Sequence, residues 1–307
     1  MSLVSMFKGK GPNGFGYGST AEDVTEGLDL NGRTILLTGC NSGIGKETLR
    51  VLANRGAHVI AAARTLEKAQ AACNEVGGET TPVACELSEP ASVQACAAQI
   101  IALGRPLDAI ICNAGIMALP TLNQKFGYEL QFFTNHIGHF ILVTALLDSL
   151  ADNGRVVMVS SDAHNGAPPE GIQFDNLTGE REYRPWASYG QSKLANLLFA
   201  NHLAKRLEGT GKTANSLHPG VIHTNLARSM NPIANGALAI AAPLVLKSVG
   251  EGAATQCYLA VHPSVEGMAG KYFSDCNVGK SSRHGRDEEM AAKLWGVSEQ
   301  IAAEVTA

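Results

Sequence analysis

The stretch Thr34-Ile35-Leu36-Leu37-Thr38-Gly39-Cys40-Asn41-Ser42-Gly43-Ile44-Gly45 decides the fold. Thr34 to Leu37 make a short apolar run, glycines follow at 39, 43 and 45, and a helical pattern runs from Lys46 to Asn54. Strand, glycine turn and helix in that order are what a dinucleotide site requires. The glycines let the backbone turn tightly and approach a pyrophosphate, whose charge rests on the helix N-terminus. The spacing G-x-x-x-G-x-G differs from the G-x-G-x-x-G of two-domain dehydrogenases. Gly39, Asn41, Ser42, Gly43, Ile44 and Gly45 are thus the first candidate nucleotide contacts.

A second strand, His58 to Ala63, ends at Arg64. An acidic residue here would bind a ribose 2′-hydroxyl and repel a 2′-phosphate, whereas Ala and Arg accommodate and pair one. The reading favours NADP(H) over NAD(H). Further strands are expected at Pro82–Cys85, ending in Glu86-Leu87; at Leu107–Cys112, ending in Asn113-Ala114-Gly115; and at Arg155–Val159, ending in Ser160-Ser161. The last two are Ala214–Leu217, ending in His218-Pro219-Gly220, and Lys271–Phe273. Helical patterns separate them: Thr65–Glu75, Ala91–Ala102, Tyr128 to about Leu150 with an interruption at Gly138, Gly252–Val261 and Asp287–Glu304. Near-continuous apolar strands alternating with helices predict an α/β fold, a doubly wound parallel sheet of about seven strands with helices on both faces. Residues 1–30, rich in glycine, read as a loose arm, and 31–307 as a single domain.

Ligands of such sheets lie outside the carboxyl ends of the strands. Beside those ends stands a long helical pattern, Ser188 to Ala204, with Tyr189 and Lys193 at i and i+4 on one face. A phenol with an ammonium beside it is an acid–base device, since a close cation lowers the phenol's pKa toward neutral pH. Alone, Tyr-x-x-x-Lys describes many surface pairs; the glycine turn upstream gives it meaning. A hydride moving to or from a nicotinamide needs a proton partner at the substrate oxygen, which Tyr189 supplies. Ser161 can hold that oxygen by hydrogen bond.

Composition narrows the class. A net charge of −4 over 307 residues gives no reason to expect nucleic acid. Seven scattered cysteines without a C-x-x-C pair indicate neither zinc nor a disulfide framework and suit a reducing compartment, so a cytoplasmic location is expected. No signal peptide is legible, and no apolar run reaches the ~18 residues of a membrane span. The nearest, Ile233 to Leu246, contains Asn235, Gly236 and Pro243; it reads as an apolar lid over substrate within 222–250, with peripheral membrane contact as the alternative. His136 and His139 flank Gly138 without a Cys or carboxylate at ligand spacing, so packing or capping is expected and no metal. His164 lines a pocket or braces a loop, and Cys112 is a small core residue.

Taken together, the Thr38–Gly45 turn, Asn113-Ala114-Gly115, Ser161, Tyr189/Lys193 and Pro219-Gly220 with Thr224 resemble the short-chain dehydrogenase/reductase family, in its order, over roughly residues 30–275. The resemblance implies a one-domain Rossmann-type fold and four catalytic positions: Asn135, Ser161, Tyr189 and Lys193. Lys193 would also bind the nicotinamide ribose, and Asn135 would hold a water linking Lys193 to solvent. It also implies cofactor contacts at Glu86, Leu87, Asn113, Ala114, Gly115, Pro219, Gly220, Val221 and Thr224. Asn135-His136-Ile137-Gly138-His139-Phe140, Ser160–His164, Tyr272–Cys276, the 28-position gap from Ser161 to Tyr189 (the insertion 162–186) and Leu294-Trp295 resemble retinol dehydrogenases and their plastid-import-associated and WW-domain-containing relatives. Members of that branch typically use NADP(H). Glu86 departs from the family's usual Asp, and the membrane anchor of animal retinol dehydrogenases is not seen. Dimers or tetramers are usual in the family, so a homo-oligomer is an open expectation. The expected function is interconversion of an alcohol and a carbonyl on a bulky apolar substrate. The rivals are a C=C reductase resembling protochlorophyllide reductase, and a nucleotide-binding regulatory or scaffold protein without turnover.

Overall fold

A computed structural model describes residues 9–222 and 246–307. Thr224 and most of the expected lid at 222–250 therefore lie outside the described residues, as does the question of membrane contact there.

In chain order the sheet-forming units are α1 (Ala21–Val24), β1 (Thr34–Thr38), α2 (Gly43–Asn54), β2 (His58–Ala63), α3 (Leu66–Val76), β3 (Thr80–Ala84), α4 (Pro90–Ala102) and β4 (Leu107–Cys112). A two-stranded hairpin, β5 (Gln124–Lys125) and β6 (Tyr128–Glu129), leads into helix α5 over 130–146. Then come β7 (Leu150–Val159), α6 (Pro185–Arg206), β8 (Thr213–His218), α7 (Val249–Val261), β9 (Tyr272–Ser274), β10 (Asn277–Val278) and α8 (Glu288–Thr306). The main sheet has eight strands in the order β10-β9-β8-β7-β4-β1-β2-β3. All pairings are parallel except β9–β10. The doubly wound sheet is as expected, with one strand more: the two-residue β10, too short to carry an alternation.

Successive residues of the central strands feed two cores. Leu36, Ile60, Ile110 and Val156 belong to the core under α4, α5, α6 and α8. Ile35, Leu37, Val59, Ile111 and Val157 belong to the core under α2 and α7. Burial on both faces is why the strands read as continuous apolar runs. Helix α5 is the most apolar, and by length and composition its 130–149 stretch could cross a membrane; 78% of that window is buried inside the fold, as in a core helix.

Two local expectations change. Residues 9–30 are not loose. Thr20 and Asp23 form a capping box at α1, Ala21 and Val24 enter the core, Phe15 packs edge-on against Tyr258, and Asn13 donates to the Cys276 carbonyl at 2.6 Å. In α5 the helix runs straight through Gly138; the irregularity lies one turn earlier, a π turn over Phe133–Ile137. Gly138 is needed for packing, since a Cβ there would lie 2.3 Å from the Leu87 carbonyl.

Candidate active site

Parallel strands bring their carboxyl ends to one edge, and the polar punctuation of the sequence collects there. Tyr189 and Lys193 lie one above the other on α6, both buried, with the Lys193 ammonium 5.7 Å from the Tyr189 ring centroid. Three bonds fasten α6 to the end of β7. Lys193 Nζ and Asn196 Nδ2 donate to the Val159 carbonyl at 3.1 and 3.2 Å, and Ser160 Oγ donates to the Lys193 carbonyl at 2.7 Å. Ser160 is thereby consumed by structure. Ser161 is left to face the site; its hydroxyl accepts from the Ala163 backbone and is the polar neighbour of the Tyr189 phenol. Gly190 permits this approach, because a Cβ there would meet the Ala163 carbonyl at 2.6 Å.

Asn135 sits in the π turn of α5, where the extra residue re-aims a side chain. Its Oδ1 accepts from Ile116 N at 2.8 Å, while its Nδ2 donates to the Ile116 carbonyl and to Ser192 Oγ, each at 2.9 Å. Ser192 in turn donates to the Tyr189 carbonyl at 2.7 Å. Gly115 closes the group: a Cβ would stand 3.0 Å from Asn135 Oδ1 and 3.5 Å from Lys193 Nζ. Asn135, Ser161, Tyr189 and Lys193 thus converge beside the glycine turn.

The electrostatics differ from the sequence-based expectation. Burial pushes the Tyr189 phenol up to about 12, with the Ser161 hydroxyl acting the other way, and pushes Lys193 down to about 8. The ammonium faces the ring and the Val159 carbonyl rather than pulling the phenol down, so desolvation wins. At neutral pH this is a protonated phenol beside a charged lysine, an acid rather than a base.

A family model described as "short chain dehydrogenase" matches residues 33–234. The chain belongs to the short-chain dehydrogenases. Among curated proteins it is 42% identical to short-chain dehydrogenase TIC 32 B, chloroplastic, of Brassica napus, covering 97% of this chain and 98% of that one. It is 38% identical to retinol dehydrogenase 12 of Mus musculus, covering 89% and 87%. A crystal structure of an uncharacterised protein from Mycobacterium paratuberculosis superposes with a TM-score of 0.75 at 34% identity, over 91% of this chain and 97% of that one. These relatives place it in the retinol dehydrogenase-like branch, as an oxidoreductase acting on alcohols or carbonyls.

This short-chain dehydrogenase has a cradle that fits a nicotinamide dinucleotide. Gly39 turns at φ +72°, and a Cβ at Gly45 would lie 2.1 Å from the Gly39 carbonyl. Ser42 caps α2 without a side-chain bond and no acidic residue sits in the first turn, leaving the N–H groups and the helix dipole to an anion. Asn113 Nδ2 braces the Thr38 carbonyl at 2.8 Å, and its buried Oδ1 has no protein partner. Ala114 N donates to Thr38 Oγ1 at 3.1 Å. Arg64 is exposed at the end of β2 with no carboxylate beside it in sequence. Glu86 accepts from Ser88 at 3.0 Å, and Leu87 is buried against Gly138. Pro219, Gly220 and exposed Val221 follow β8, and Lys247 packs on Gly220 and bridges Ile222.

His139, which the sequence marks only as a packing or capping residue, joins the glycine cradle to Asn135. Nδ1–H donates to the Asn135 carbonyl at 2.9 Å, so Nε2 is bare and accepts from the Thr38 hydroxyl at 2.9 Å. Burial lowers its pKa to about 4, keeping it neutral. His136 is likewise neutral and bonds Ser298 at 2.7 Å within an aromatic cluster. His164 braces a loop, donating to the Ser161 carbonyl and accepting from Ser282 N. Lys247 pairs with Asp275 at 2.6 Å, a link between distant segments that no local spacing signals.

Proposed function

We propose that this chain is an NADP(H)-dependent oxidoreductase that interconverts a carbonyl and an alcohol on a bulky apolar substrate. The observation that carries the reading is the convergence of Ser161, Tyr189, Lys193 and Asn135 next to the glycine cradle. Gly39, Asn41 to Gly45, Asn113 to Gly115 and Pro219 to Val221, with Thr224, would hold the nucleotide, and Arg64 would pair its 2′-phosphate. Bound nicotinamide supplies the hydride. Tyr189, protonated at neutral pH, donates to the substrate oxygen in reduction and accepts from it in oxidation. Ser161 holds that oxygen by hydrogen bond. Lys193 keeps a positive charge behind the phenol and stabilises the phenolate that reduction leaves, while Asn135, clamped to Ile116 and Ser192, fixes the wall beside it.

An intact Ser161 supports carbonyl over C=C reduction. A purified chain that consumes NADPH, and NADH more poorly, with retinal, a steroid ketone or an aromatic aldehyde is the expected result. NADPH binding without turnover of any carbonyl supports the scaffold reading instead. The cytoplasmic location belongs to the same proposal, supported by seven buried cysteines without a disulfide. Because two Brassica napus relatives are named chloroplastic, cell fractionation that finds the chain in plastids would overturn it.

A further inference from the structure

Helix α6 opens with Pro185 and then Trp186, an indole left 52% exposed, while the molecule's other tryptophan, Trp295, is 5% exposed. Exposure alone does not single Trp186 out, since Phe126 is 47% exposed as well; its place beside the phenol does, because there the indole offers a large flat apolar face. Trp186 stands one turn before Tyr189, with ring centroids 6.2 Å apart and planes at 82°. Trp186, Tyr189 and Lys193 follow i, i+3, i+7, so all three lie along one helix face. The ring's platform is fixed. Tyr183 Oη donates to the Leu119 carbonyl at 2.6 Å, Gln131 Nε2 reaches the Pro185 carbonyl at 3.4 Å, and Gly190 is pressed on the turn that carries Ser161.

We propose that Trp186 is a specificity-determining residue: its exposed face receives the flat apolar body of a substrate whose carbonyl reaches Tyr189. The inference rests on the carbonyl–alcohol reading and deepens it: the indole favours an extended aryl aldehyde or ketone over a short aliphatic one. A short aliphatic aldehyde would reach the phenol without covering the indole.

The test compares kcat/KM for biphenyl-4-carbaldehyde and for propanal, with NADPH, in the wild-type chain, Trp186→Ala and Trp186→Phe. The ratio between the two aldehydes should fall about tenfold or more in Trp186→Ala, mainly through KM for the biaryl, and Phe should restore most of it. An unchanged ratio in Trp186→Ala overturns the inference. Equal loss on both aldehydes also overturns it, since the ring would then act only by positioning Tyr189. Wild-type protein that turns over neither aldehyde, nor the broader carbonyl panel, removes the carbonyl–alcohol reading, and the inference falls with it. Turnover of propanal but not of the biaryl keeps that reading and overturns the inference alone.

Discussion

The Lys193 ammonium lies 5.7 Å from the centre of the Tyr189 ring and bonds the Val159 carbonyl at 3.1 Å, not the phenol oxygen. Both groups are buried, and burial moves them in opposite directions: Tyr189 up to about 12, Lys193 down to about 8. Reduction needs the neutral phenol and the charged lysine. Below about pH 8 both are in that state, and above it Lys193 loses its proton while Tyr189 keeps its own. Carbonyl reduction should therefore be level from about pH 6 to 7.5 and fall above pH 8. Alcohol oxidation, which needs the phenolate beside a charged lysine, should rise with pH up to about pH 8 and level above it. Profiles of kcat/KM in both directions check this.

Arg64 stands exposed at the end of β2, where a carboxylate would select NAD(H). Arg64→Asp should raise KM for NADPH by about tenfold or more and leave KM for NADH similar or lower. Unaltered cofactor preference would remove Arg64 from the 2′-phosphate site.

His139 couples two elements that the sequence separates by a hundred residues. In His139→Leu the Thr38 hydroxyl loses an acceptor and the Asn135 carbonyl a donor, each buried. The expected cost is about 1–3 kcal/mol of stability, read from the urea midpoint, with weaker NADPH binding and lower kcat. His139→Gln, which can donate and accept, should recover part of each.

Trp295 stacks on Phe199 at 5.5 Å and meets Phe140 edge-on at 5.0 Å, and the Arg206 guanidinium lies over its ring at 4.7 Å. Removing it opens a cavity under α8. Trp295→Ala should cost about 3–5 kcal/mol, seen as a lower Tm, and Trp295→Phe clearly less.

The parts of this fold that were legible are those in which local chemistry forces the backbone. Gly39 and Gly45 can be no other residue without striking Ala114, Asn113 or the Gly39 carbonyl, and the centres of β1 and β4, Ile35–Leu37 and Ala109–Cys112, are apolar because both faces are covered there. The π turn at Asn135 carries no Gly or Pro within it, and Gly138, conspicuous in sequence, serves packing against Leu87 instead. The arm at 9–30 hides its anchors, Phe15, Ala21 and Val24, among glycines whose contacts lie some 240 residues away. Spacing put Tyr189 beside Lys193, but only burial, a tertiary property, gives the direction in which their protons move.

The most direct test of the central claim is NADPH oxidation by Tyr189→Phe beside wild type, with a bulky aromatic aldehyde, and NADPH binding followed by tryptophan fluorescence. Loss of turnover by a factor of about a thousand or more, with NADPH binding within about threefold of wild type, is the predicted result. Turnover retained without the phenol would contradict the assignment of Tyr189 as the proton donor.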